Sequence, residues 1–193
     1  MFQYHYAGRP GLSARRSHSY IPAYFSATPA GLPGNDDSGA MGSFVAFCMM
    51  GLFPNPGQDV YLITPPYFES VRVAHPLTGK TAVVRTLNFD PTYQAIYIQS
   101  ATLDGRPYTK NWIDHSFFTH GKELVLTLGR NESAWGTRVE DLPPSLGRYV
   151  GFDETASTAR AAAGAGRPRG PLSRSYKGGF DASDDPLGYK LSV

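Results

Sequence analysis

The spacing of apolar residues changes near residue 57, and this change divides the chain into a helical part and a β-rich part. Before it, residues 12–25 and 39–52 carry patterns that predict two helices. Pro22 lies inside the first helix, where a proline removes a hydrogen bond and clashes with the preceding turn, so we expect a kink or a break. The second helix is apolar nearly all round, which predicts burial on most of its faces. Gly51 is expected to end it.

Beyond residue 57 the chain consists of short runs that favour strands. They are rich in β-branched and aromatic residues and are bounded by Pro, Gly, Asn or Asp. The runs lie at residues 60–63, 71–74, 81–87, 95–99 and 124–128. The pair Asp104-Gly105 predicts a tight hairpin turn. We therefore expect a small antiparallel sheet or sandwich in this part.

A third composition, rich in Ala, Gly, Ser and Asp, begins at about residue 147. Such a segment has too few apolar side chains to offset the entropy lost on ordering, so we expect it to be disordered. Just before it, Trp135 is expected to pin residues 131–146 to the sheet. The predicted fold class is α+β, with three regions: residues 1–57, 58–146 and 147–193.

Composition and charge exclude some classes of function. The formal net charge of the 193 residues is +2, which argues against a broad nucleic-acid interface. The longest apolar run, residues 44–53, is far too short to span a membrane. A single cysteine, Cys48, rules out an internal disulfide, and we expect it to be a small core residue.

The densest group of candidate catalytic residues is the segment GLPGNDDSGAM, residues 31–41. It places Asn35, Asp36 and Asp37 among glycines, which allow backbone conformations closed to other residues. A carboxylate in such a turn can reach into a cleft and act as a general base. The same residue types also form surface turns and helix caps. Taken alone, the spacing favours a cap, with Asp37 or Ser38 capping the helix that follows.

Four segments, in order, resemble glycosyl hydrolase family 92, a family of calcium-dependent exo-acting α-mannosidases. They are FQYHYAGRP (residues 2–10), GLPGNDDSGAM with its apolar helix ending in GLFP, IYIQSATLDGRPY (residues 96–108) and WIDH (residues 112–115). The resemblance covers about residues 1–146. It implies that residues 1–57 are the last helices of an (α/α)6 barrel. It also implies that the chain is a C-terminal fragment whose own N-terminal catalytic part is missing.

The resemblance implies roles for the three residues of the acidic turn. In an inverting glycosidase one carboxyl group protonates the leaving oxygen and another activates water, and the two stand roughly 6.5–9.5 Å apart. The family's general base corresponds to Asp37. Asn35 stands where an assisting acid is common, and Asp36 occupies a variable position that supports the turn. Adjacent residues cannot form such a pair, so at most one of Asp36 and Asp37 is catalytic. The resemblance implies that the general acid lies upstream of the chain.

The resemblance also places His5 near the sugar and the calcium site, and Tyr6 can stack on a sugar ring, so both are predicted to bind substrate. The alternative for each is packing within an aromatic segment. Histidine is a poor ligand for calcium, which prefers oxygen. The resemblance implies that calcium is the cofactor and that its main ligands lie upstream of residue 1, and metal ligands within the chain are unknown.

The implied activity is removal of terminal α-mannose from N-glycans or mannan, by a parent enzyme that is inactive as this fragment alone. The expected partner is a mannose-containing glycan, with no nucleic acid and no membrane span. A non-catalytic carbohydrate-binding or interaction module built on the β-region is the alternative, and a product without a role is a third. The family is often secreted, with a cytosolic location left open. The sequon at residues 131–133 would matter only in a secreted protein.

Overall fold

The structure, a computed structural model, describes residues 1–145. The predicted disordered tail lies outside the described residues. The helices are α1 (Pro10–Tyr24), α2 (Ala40–Met50) and α3 (Ser116–His120), with 3-10 turns at Phe2–Tyr4, Asp37–Gly39 and Val139–Asp141. The strands are β1 (Leu52–Pro54), β2 (Tyr61–Ile63), β3 (Ser70–Ala74), β4 (Thr81–Leu87), β5 (Tyr97–Leu103), β6 (Arg106–Pro107), β7 (Trp112–Ile113) and β8 (Glu123–Gly129).

Helix α1 begins at Pro10, where the fixed φ of proline suits a first turn. It continues through Pro22 to Tyr24, so of the predicted kink or break, the break does not occur. The N–H that Pro22 lacks would bond the His18 carbonyl, so one bond near the end of the helix is lost. The last turn is closed by the Phe25 N–H, which donates to the Ile21 carbonyl at 3.0 Å.

Helix α2 is shorter than predicted because glycines in the left-handed region bound it at both ends. Gly39 has φ 73° and Gly51 has φ 80°. A Cβ added to Gly51 would lie 2.6 Å from the Thr64 carbonyl oxygen, so only glycine fits there without a backbone shift. Leu52 opens β1 rather than closing the helix.

The strands form two sheets, one fully antiparallel and one mixed. The first has the order β1-β2-β7 and the second β3-β4-β8-β5-β6. In the second sheet β4 and β8 run parallel, from Val83 opposite Glu123 to Leu87 opposite Thr127. The prediction of a wholly antiparallel β-region is therefore wrong at this pair. The chain returns through α3 and inserts β8 between β4 and β5, which sets its direction.

The predicted hairpin at Asp104-Gly105 is confirmed. Leu103 pairs with Arg106 across a two-residue turn. Asp104 has φ 48° and Gly105 has φ 75°, the positive values that the commonest two-residue hairpin turn requires at both positions.

The larger core cluster joins both sheets to α3. It contains Leu52, Ile63 and Ile113 from the first sheet, inward residues of β4, β5 and β8, and Phe117 and Phe118 of α3. Trp135 also belongs to it, at 8% exposure. Its indole N–H donates to the Tyr108 carbonyl at 2.9 Å, so the described part of residues 131–145 is pinned as predicted.

A smaller cluster lies under α1 and α2. It contains Phe2, Ile21, Cys48, Val60, Leu62 and Tyr67. Cys48 is fully buried, as predicted, and burial raises the pKa of its thiol to about 12. It is the only residue of α2 that is buried, so the prediction of burial on most faces is wrong within residues 1–145. One side of this apolar helix packs on the described chain and the rest is half exposed.

None of the helices between residues 1 and 145 is both long enough and apolar enough to cross a membrane.

Candidate active-site turn

The acidic turn lies on the surface between α1 and α2. A tight loop before it brings the chain back towards α2. In this loop the Gly31 N–H donates to the Thr28 carbonyl at 2.9 Å, and the Gly31 carbonyl accepts from the Ser26 N–H at 3.0 Å. A side chain at Gly31 would overlap the Ser26 carbonyl. The first glycine of the motif is therefore required by close packing of the backbone.

Asp36 caps α2. Its Oδ1 accepts from the backbone N–H groups of Met41 at 2.6 Å and Gly42 at 3.3 Å. These are donors of the first helical turn, which have no partner within the helix. A negative charge at this end is also favoured by the helix dipole. The cap therefore comes from Asp36, and neither Asp37 nor Ser38 makes such a bond.

Asp37 follows the cap and begins the 3-10 turn Asp37–Gly39. The next two residues, Ser38 at φ 55° and Gly39 at φ 73°, are left-handed, which reverses the chain direction over the helix end. Asp37 is exposed, and none of the hydrogen bonds or ion pairs within residues 1–145 uses its carboxylate. Asn35 is likewise exposed, with an amide that has no partner in the same range. The turn thus holds one carboxylate that fixes the backbone and one that is uncommitted.

His5 lies in the interior, away from solvent. It is fully buried between the first 3-10 turn, α1 and β2. The Ile63 carbonyl accepts from Nε2 at 2.8 Å, so Nδ1 of the neutral ring accepts from the Ser13 hydroxyl at 2.9 Å. Burial lowers the pKa of His5 to about 4. Both ring nitrogens are occupied, so these contacts give His5 the packing role and offer no support for a substrate contact.

Tyr6 is half buried beside the loop between β1 and β2. Its hydroxyl donates to Gln58 Oε1 at 3.0 Å and accepts from Asn55 Nδ2 at 2.5 Å. Burial raises the pKa of this phenol. In residues 1–145 no hydrogen bond, ion pair or ring contact joins His5 or Tyr6 to the acidic turn. Tyr6 and Phe44 of α2 nevertheless pack against the same core cluster, so the two groups of predicted site residues flank one cluster without touching each other.

The sequence analysis did not identify Asn111, which is fully buried. Its Nδ2 donates to the His5 carbonyl at 3.1 Å and to the Gly136 carbonyl at 2.7 Å. Its backbone carbonyl accepts from the Ile63 N–H at 3.0 Å. The only sequence signal was a polar residue directly before the WIDH segment.

The described residues do not fit a calcium site. Calcium takes six to eight oxygen ligands, largely from carboxylates and carbonyls. No group of three or more His, Cys, Asp or Glu residues in positions 1–145 could hold a metal ion. One oxygen of Asp36 is already committed to the helix cap, and His5 offers nitrogen that is already bonded.

The amino-acid sequence of the chain is similar to a known protein family and to a known protein. The model of the glycosyl hydrolase family 92 catalytic domain matches residues 1–130. An uncharacterized secreted glycosidase of Arthroderma benhamiae is 65% identical over 152 residues, which cover 79% of this chain and 20% of that protein.

Solved structures agree in fold. A family GH92 α-mannosidase of Bacteroides thetaiotaomicron has a TM-score of 0.69 at 24% identity, covering 75% of this chain and 20% of its own. A family GH92 inverting mannosidase of the same species has a TM-score of 0.68 at 28% identity, covering 75% and 19%. The first of these α-mannosidases, solved in complex with mannoimidazole, has a TM-score of 0.70 at 20% identity, covering 86% of this chain and 22% of its own. The chain therefore spans about a fifth of the length of the relatives it matches.

The two neighbouring aspartates are expected to differ in their effect on stability. Asp36→Ala removes both capping bonds of α2, and we expect a loss of about 1 kcal/mol in the free energy of unfolding. Asp37→Ala removes no bond and should stay within about 0.5 kcal/mol of the wild type. Urea unfolding followed by tryptophan fluorescence measures both variants. Equal losses would show that the Asp36 cap is not formed.

His5 predicts a dependence of stability on pH. Its folded pKa of about 4 lies below the ordinary value of 6.5, so the unfolded chain binds the proton first. Stability is therefore full above pH 6.5 and falls as the pH drops towards 4, by about 2 kcal/mol between pH 7 and pH 5. Burial lowers the pKa of His18 in the same direction.

Urea midpoints at pH 7 and pH 5 test this, with His5→Gln as the comparison. The variant should be less stable at pH 7 but lose less between the two values, because its amide does not titrate. A variant that keeps the full pH dependence would exclude His5 as its source.

Proposed function

This chain belongs to glycosyl hydrolase family 92, and we propose that it is the part of an α-mannosidase catalytic domain that carries the general base. The observation that carries the proposal is the acidic turn, where Asp36 fixes the backbone while the adjacent Asp37 is exposed and uncommitted. The match to the family's catalytic domain includes this turn.

A general base needs a fixed position and a carboxylate oxygen that can accept a proton from water. The cap by Asp36 supplies the first, and Asp37 the second. We propose that Asp37 activates the water that attacks the anomeric carbon from the face opposite the leaving group. The turn is held by backbone amides rather than by Asp37 itself, so proton transfer would leave the cap intact. Asn35 would support this base as a neutral hydrogen-bonding neighbour.

Inversion also needs a second carboxyl group to protonate the leaving oxygen. We propose that this group lies in the rest of the catalytic domain, since this chain spans about a fifth of the length of its relatives. As a consequence, we expect no turnover by this chain alone. The residues that would bind calcium are placed there for the same reason, since the described residues do not fit the ion.

We also propose that α1 and α2 are helices of an (α/α)6 barrel. The support is the apolar surface that they leave half exposed in residues 1–145. Phe47 of α2 lies in neither core cluster, and Tyr20 and Tyr24 of α1 are 43% and 45% exposed. A helix that is apolar nearly all round calls for neighbours on most sides. Further barrel helices would provide them.

The substrate we propose is a terminal α-mannose residue of an N-glycan or mannan. It is supported by the mannosidase names of the structural relatives and by the mannoimidazole complex of one of them. We propose secretion, because the Arthroderma benhamiae relative is described as secreted.

The apolar face predicts the behaviour of the isolated chain. We expect the 193-residue chain to bind an apolar dye and to self-associate, because α2 lacks part of its packing. Phe47→Ser should lower both signals. Leu77→Ser is the control, since Leu77 is 90% exposed but stands alone in the β3–β4 turn, and it should change neither.

Dye fluorescence and sedimentation velocity give the two measurements. A monomeric wild-type chain with no dye binding would contradict the proposed barrel packing.

The catalytic proposal is tested in a full-length protein, made by placing residues 1–145 in the Arthroderma benhamiae relative in place of the matching segment. We expect Asp37→Asn to lower kcat by about 10² to 10⁴-fold, because the amide cannot accept the proton from water. Binding of a mannose-like inhibitor should persist. Glu140→Gln, which neutralises an exposed acid outside the turn, is the control and should retain full activity.

The outcomes separate the two classes of function. Unchanged turnover in Asp37→Asn rejects the base assignment. If the full-length protein with Asp37 intact binds mannoside without any turnover, the alternative of a non-catalytic carbohydrate-binding module is favoured.

A further inference from the structure

The chain contains one Asn-X-Ser/Thr motif, at Asn131-Glu132-Ser133, and the proposed function does not use it. The motif begins two residues after the end of β8 at Gly129, and Asn131 lies in an exposed bend that begins at Arg130. Glu132 is also exposed and pairs with Arg9 at 3.6 Å across the surface. A surface loop is where an N-glycosylation acceptor is expected to lie.

The side chain of Asn131 is accessible while its backbone is held. A bulge in β5 shifts the ladder with β8 between Ile98 and Ser100, and the intervening Gln99 reaches across to this bend. Gln99 Nε2 donates to the Asn131 carbonyl at 2.8 Å. The side-chain amide of Asn131 has no hydrogen bond within residues 1–145. A group attached to its Nδ2 would therefore break no contact of the described fold.

The third residue of the motif is bound more tightly. The Ser133 hydroxyl donates to the Ile98 carbonyl at 2.5 Å and accepts from the Trp135 N–H at 3.1 Å. Trp135 is itself part of the core. The hydroxyl that the acceptor motif requires is thus occupied once β5, β8 and Trp135 have come together.

We propose that Asn131 is an N-glycosylation site that is modified before this part of the chain folds. The donor is an oligosaccharide linked to a polyprenyl pyrophosphate. A bond forms between Nδ2 and the anomeric carbon of the donor's first sugar, Nδ2 loses one proton, and the polyprenyl pyrophosphate leaves. The Ser133 hydroxyl is open in the unfolded chain and enters its two bonds afterwards, which leaves the glycan on the exposed bend.

In nature this modification rests on the secretion that we propose, but it does not rest on the catalytic role of Asp37. The experiment therefore supplies the secretory route. The full 193-residue chain is translated behind a cleavable leader in the presence of microsomes, added either during or after translation. Peptide N-glycosidase and peptide mass spectrometry locate the glycan.

The matched variants are Asn131→Gln, which removes the acceptor, and Pro76→Asn, which places an Asn-Leu-Thr acceptor in the exposed β3–β4 turn. With microsomes present during translation we expect one glycan on the wild type, none on Asn131→Gln and two on Pro76→Asn. With microsomes added after translation we expect no glycan on the wild type. The stability of unglycosylated Asn131→Gln should equal that of the wild type, because no bond is lost.

A wild-type chain without a glycan, beside a Pro76→Asn chain that carries one, overturns the assignment whatever the catalytic assay shows. A folded chain that accepts a glycan at Asn131 in a detergent-solubilised transferase overturns the proposed timing.

Discussion

A buried pair of polar side chains, His5 and Asn111, holds the N-terminal segment against the β-region, and the docking of α1 depends on it. His5 bridges Ser13 of α1 and Ile63 of β2. Asn111 binds the His5 carbonyl from the other side. Each bond contributes only about 1 kcal/mol, but a buried group left unpaired costs about 1–3 kcal/mol. The bonds therefore specify one docking of α1 on the first sheet, since a shifted arrangement would leave several buried groups unpaired.

The two core clusters differ in size, and this difference shows which part of residues 1–145 has a closed core of its own. The β-region closes its own core between two sheets and α3, with alternate residues of β4 and β8 pointing inward. The helical part has a smaller cluster in which Cys48 is the sole buried residue of α2. The bonds of His5 thus attach α1, one of two under-packed helices, to a well-packed β-region.

The sequence predicted the features that depend on neighbouring residues. Period-two alternation located β4 and β8, and Asp104-Gly105 located a hairpin. It did not predict β1, because Leu52–Pro54 follows an apolar helix and ends in a proline. That proline is tolerated because β1 is an edge strand. Nor did it predict the parallel pairing of β4 with β8, which depends on how a distant segment returns and has no local signal. For the acidic turn, composition identified the group of polar residues. Composition could not show which aspartate caps α2. The left-handed backbone at Ser38 turns the chain so that Asp36, rather than Asp37, reaches the first turn of the helix.

The capping arrangement also explains how the acidic turn is held in place while Asp37 stays free of hydrogen bonds within residues 1–145. A carboxylate that must accept a proton cannot also be bound by several strong donors, because those bonds favour its charged form and oppose protonation. In this chain Asp36 takes those donors, so α2 keeps its cap while the Asp37 carboxylate makes no hydrogen bond within residues 1–145. The half-exposed face belongs to α2, and the Asp37 carboxylate lies in the turn that leads into this helix. Under the proposed function, one partner, the rest of the catalytic domain, would cover that face and supply the second carboxyl group.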